Sequence, residues 1–147
     1  MDLFNKLNEP AVHWLKDMMD ELRTDDRQRA WHALRAGLHA LRDRLTVEEA
    51  AQLSAQLPLV IRGLYFEGWD PTGKPLRIRH GDEFLALVRE KYAPRTDTAA
   101  SDIVPAVFRV LDRHISVGEL TDIMLSLPTE LVDLVRGVQS GEERAES

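Results

Sequence analysis

The sequence predicts an all-α fold, with about eight short helices in two four-helix pseudo-repeats that are offset by 70 residues and packed as one compact helical domain. Three observations predict it. Apolar residues recur at three-and-four spacing with hardly any alternating β-branched runs, which is the pattern of amphipathic helices. Ala, Leu, Arg and Glu fill the periodic segments, whereas Pro and Gly fall mostly between them. Finally, LRDRLTVEEAAQLSAQLP (41–58) aligns without a gap on LDRHISVGELTDIMLSLP (111–128).

The helices are expected at about 10–23, 26–44, 47–56 and 58–66, then at about 81–92, 101–113, 117–126 and 128–138. In 26–44, Trp31, Leu34, Leu38, Leu41 and Leu45 form one apolar stripe, and His32, Arg35, His39 and Arg42 lie opposite as a wet, basic face. Thr46 and Glu49 make a capping box that starts the next helix, and Pro58 suits the first turn of the one after it. Residues 67–79 form the inter-repeat loop, with turn chemistry at Gly68, Asp70-Pro71, Thr72-Gly73 and Pro75. Asp82 is placed to help cap the helix from 81, and His114 to sit at a helix C-terminus where the dipole favours positive charge. Ser116, Glu119 and Pro128 repeat the box and the proline of the first copy.

The 70-residue register pairs Leu41 with Leu111, Leu53 with Ile123, Leu57 with Leu127 and Trp14 with Phe84. The first four named leucines and isoleucines, with Leu57 and Leu127, are the expected core. A unit of this size is marginal alone, so two copies sharing an apolar face imply one domain over 1–138, with repeat one at about 10–66 and repeat two at about 80–138. The acidic tail 139–147 has a composition that favours disorder. The register breaks at YFEGW (65–69), which lies opposite VRGVQ (135–139).

Composition narrows the function classes. The chain has no cysteine, so it has no disulfide framework, no thiolate nucleophile and no cysteine zinc site. No apolar run approaches the roughly 20 residues of a spanning helix, and MDLFNKLNEP lacks a signal peptide's cationic start, so the expectation is a soluble, cytoplasmic chain without membrane contact. A net charge of −6 disfavours phosphate backbones, and no nucleic-acid partner is expected. Neither G-x-S-x-G nor a phosphate-binding glycine motif is present, which leaves no catalytic residues to name. His80 with Glu67, Asp70 or Asp82 matches no metal or hydrolase spacing, and neither metal nor cofactor is expected.

The candidate interaction surface is the inter-repeat junction: Tyr65, Phe66, Trp69, Asp70, Lys74 and Arg77. Three aromatics within five positions would be costly decoration for a turn, and aromatics dominate binding hot spots. Tyr65 and Phe66 are expected to point into the junction and Trp69 towards the surface.

The stretches DRLTVEEAAQLSAQLPLVIRGLYFEGWDPTGKP, RIRHGDEF and FRVLDRHISVGELTDIMLSLP are similar to the bacterial domain of unknown function 2267 family over about residues 28–136. That resemblance implies a helical fold and carries no activity, cofactor or catalytic residue. The expected function is a non-enzymatic helical module that binds a protein partner or itself, including as a homodimer. The alternative is a small-molecule binding or sensing domain that uses the aromatic junction as its pocket.

Overall fold

The computed structural model describes residues 2–137. They form eight helices and no strand: α1 (Asp2–Leu22), α2 (Arg27–Arg44), α3 (Val47–Ser54), α4 (Leu59–Phe66), α5 (Gly81–Tyr92), α6 (Ala100–His114), α7 (Val117–Ser126) and α8 (Thr129–Val135). The expected acidic tail lies outside the described residues. The all-α class therefore holds, and α3 and α7 start 70 residues apart, as do α4 and α8.

The first helix departs from expectation by starting at Asp2 and running through Pro10. Proline's fixed φ is helical, and here the hydrogen bond it removes lies on exposed backbone open to water, so the helix continues. Pro58 and Pro128 sit one position earlier than expected, as N-caps. The Thr46–Glu49 box is complete, with Glu49 N donating to Thr46 Oγ1 at 3.1 Å and Thr46 N to Glu49 Oε1 at 2.9 Å. Its counterpart is only half built. Ser116 Oγ accepts from Glu119 N, but Ser116 N donates to Gln56 Oε1 at 3.0 Å. A side chain from the first half thus takes the place of the second glutamate.

At the centre α2 packs against α1, α4, α5 and α6, while α6 packs against α1, α2, α5, α7 and α8. Pairs in contact recur at the same offset: α1 with α6 and α5 with α2, α1 with α2 and α5 with α6, α2 with α4 and α6 with α8. The six core residues picked from the sequence, Leu41, Leu53, Leu57, Leu111, Ile123 and Leu127, are all buried. At the α2–α6 crossing a Cβ on Gly37 would lie 2.5 Å from Val107 Cγ2, so only glycine permits this approach. Residues 37 and 107 are themselves 70 apart.

The opposite side of α2 is not a wet face. His39, Arg42 and Asp43 are as buried as the leucines, because helices cover α2 on nearly every side. Periodicity marked the more apolar stripe correctly. It could not show that the polar stripe is covered too.

Candidate interaction surface

The segment at the end of α4 is fixed from below by these polar groups of α2. The last carbonyls of a helix lack intrahelical donors and carry its negative dipole end. His39 Nε2 donates to Leu64 O at 2.7 Å, and Arg42 Nη1 donates to Tyr65 O at 2.8 Å and Glu67 O at 2.9 Å. Arg42 Nε also meets Asp43 Oδ1 at 2.8 Å, and Lys91 of α5 meets Asp43 Oδ2 at 2.9 Å. Arg35 reaches Glu67 Oε1 at 2.6 Å on the more exposed side. The α4 terminus is therefore clamped by His39 and Arg42, and the buried Arg42 charge is balanced by Asp43, which it shares with the partly exposed Lys91.

The protonation states follow from this enclosure. Burial pushes His39 from 6.5 down to about 4, aided by Arg42, Arg35 and Lys91 and opposed by its bond to Leu64. It is thus neutral at pH 7 and donates through Nε2. Burial raises the Asp43 carboxyl, but the hydrogen bonds and charges of Arg42 and Lys91 together outweigh it and hold the group below the usual range. Burial raises Tyr65, whose hydroxyl instead donates to Ala50 O at 2.9 Å, tying α4 to α3.

Beyond α4, Gly68 takes φ 68° and the chain turns back over α2. Thr72 N donates to Asp70 Oδ1 at 2.9 Å, Leu76 N to Asp43 O at 2.8 Å and Arg44 Nε to Ile78 O at 2.6 Å. The loop is tied to α2 at both ends, through Glu67 and through Leu76 and Ile78.

The expected surface residues separate into three kinds. Tyr65 is wholly buried and leaves the surface, because its ring fills the space between α3 and α4. Phe66 and Trp69 are half-buried, packed against the core and on one another with ring centroids 5.1 Å apart. Trp69 therefore does not protrude as expected, and its buried Nε1 meets no acceptor among the described residues. Asp70 and Arg77 are exposed and Lys74 is half-buried. His80 does not gather Glu67 or Asp70. It caps α5 with Glu83 reaching back to its N–H at 3.2 Å, and its Nδ1 meets Glu130 Oε2 at 2.9 Å. Asp82 only accepts from Glu83 N beside it. No group of three metal-ligating side chains occurs among the described residues. His114 does end α6, stacked on Trp14 at 4.7 Å and donating to Asp17 at 2.6 Å.

Two apolar surfaces escaped the sequence reading. The stripe that is buried on α1 as Ala11, Trp14 and Met18 begins in solvent as Leu3, Phe4 and Leu7, which are 66%, 59% and 40% exposed. The 3-4 spacing was legible, but treating Pro10 as a helix start hid it. On the far side, α7 buries only Ile123 and leaves Val117 and Leu125 in solvent. Beside it a groove of about 290 Å³ opens between Phe108, Arg109 and Asp112 of α6, Leu120 and Met124 of α7, and Val135 of α8.

No helix among the described residues is long and apolar enough to cross a membrane. Against known proteins, the family model for an uncharacterized conserved protein (DUF2267) matches residues 12–134. No curated protein matches the chain.

Proposed function

The chain belongs to this DUF2267 family of uncharacterised conserved proteins, and we propose that it works as a non-enzymatic helical module that associates with protein surfaces, its own included. The observation that carries this reading is the first part of α1, where Leu3, Phe4 and Leu7 extend a core stripe into solvent. An apolar stripe on a helix is stable in water only at a cost, and the usual cover is a partner's groove. The half-buried Phe66 and Trp69, packed on one another, stay partly accessible beside the exposed Asp70. The small-molecule reading draws support from one feature, the buried Trp69 Nε1 donor that meets no acceptor among the described residues.

Replacing Leu3 and Phe4 by Ser tests the main reading. Both side chains are exposed, so melting should stay unchanged while sedimentation or pull-down against wild type reports a lost association. Full association in the double variant refutes it.

A further inference from the structure

We propose that the cavity where the end of α1 and the start of α2 meet α6 and α8 binds a small organic carboxylate, its anionic head held by Arg29 and Arg23. The site lies at the opposite end of α1 from Leu3 and Phe4, and it goes beyond the interaction reading without depending on it.

The cavity measures about 460 Å³, within the range of about 300 to 1,000 Å³ of small-ligand sites. Both halves of the chain build its wall, with Arg23 from the end of α1, Arg29 from the first turn of α2, Thr98 and Asp102 from the start of α6 and Leu134 from α8. Arg29 is held in place with its terminal nitrogens free. Its Nε donates to Oγ1 of the buried Thr98 at 2.6 Å. The Thr98 hydroxyl in turn donates to Tyr92 Oη at 3.1 Å, because the Tyr92 proton goes to Asp97. This chain fixes one edge of the guanidinium, while Nη1 and Nη2 meet no acceptor among the described residues. A fixed fork of N–H groups matches the two oxygens of a carboxylate.

Arg23 lines the same cavity from a strained position. It closes α1 in the left-handed region at φ 54°, with its N–H on Asp20 O at 3.1 Å and Thr24 N on Met19 O at 3.0 Å. Glycine makes this closure without a Cβ penalty. The arginine side chain offsets none of that strain within the fold, since it makes no hydrogen bond or ion pair among the described residues.

Charge sets the class of ligand. The lining carries three guanidiniums and two carboxylates. Arg109 pairs with Glu21 at 3.5 Å. Asp102 stands in the first turn of α6, where the helix dipole favours it, and makes no ion pair among the described residues. One positive charge is left in excess, which a single carboxylate neutralises. A phosphate group carries about −1.5 to −2 at pH 7 and would meet Asp102 with charge to spare. Leu22, Pro105 and Leu134 offer apolar surface to the organic part of the ligand.

NMR titration of the full chain with benzoate, benzyl alcohol and inorganic phosphate at constant ionic strength tests the site. Benzoate should bind saturably and shift the Arg29 Nε–Hε and Ser101 amide signals. Benzyl alcohol, which has the ring without the charge, should bind at least about tenfold more weakly. Arg29→Gln should weaken benzoate binding about tenfold or more, and Arg29→Lys should not restore it, since an ammonium keeps the charge and loses the fork. Arg23→Gly separates the ligand from the fold. Glycine relieves the positive φ, so the melting temperature should hold or rise while benzoate binding falls about threefold or more. No saturable benzoate binding, or equal binding in wild type, Arg29→Gln and Arg23→Gly, overturns the proposal. Phosphate bound more tightly than benzoate overturns the carboxylate assignment.

Discussion

Acidification should destabilise the fold through His39 well before carboxylates titrate. In the folded chain burial holds this imidazole at about 4, against 6.5 for an ordinary histidine. The unfolded chain therefore takes up a proton as pH falls through 6.5, and the folded chain refuses it until about 4. Stability associated with His39 is thus fully present above 6.5 and is lost as pH falls between those values. The gap of about 2.5 units, at about 1.36 kcal/mol each, sets a limit of about 3 kcal/mol, of which about 2 kcal/mol should be gone by pH 5. His80 works in the opposite direction, because Glu130 raises it. Comparing wild type with His39→Gln cancels that contribution, since the glutamine cannot titrate while its amide can still donate to Leu64 O. Urea curves at pH 7 and pH 5 should show wild type losing about 2 kcal/mol more than His39→Gln. Equal losses in the two proteins, or an NMR titration placing His39 near 6.5, would refute the burial argument.

Two further outcomes follow from the packing. Gly37→Ala should cost about 1–3 kcal/mol by overpacking against Val107, and Val107→Ala in the same chain should recover part of that loss, as read from denaturation of all four members of the cycle. Asp43→Asn should cost about 3–5 kcal/mol, because it leaves Arg42 and Lys91 without their shared anion; a loss under 1 kcal/mol would mean that water reaches the network.

Much of the fold was legible because local rules dictate it. The Thr46 and Ser116 starts, the prolines at 58 and 128 and the three-and-four stripes each depend on a few neighbouring residues, so the chain alone determined where most helices begin and which leucines are core. Pro10 misled for the same reason: as the expected start of the first helix it expresses a local preference of a few kcal/mol, and exposed backbone let water absorb the lost bond. Whether a polar residue faces water is not a local matter. His39 and Arg42 read as surface because they lie opposite the most apolar stripe, yet α4 and α5 cover that side as well, and the α4 carbonyls and Asp43 give the charges partners there. The aromatic segment was located by composition. Only tertiary packing decided that Tyr65 would fill the space between α3 and α4 while a groove opens beside Val135 between α6, α7 and α8, since the space left between helices depends on how they pack and on no single segment of sequence.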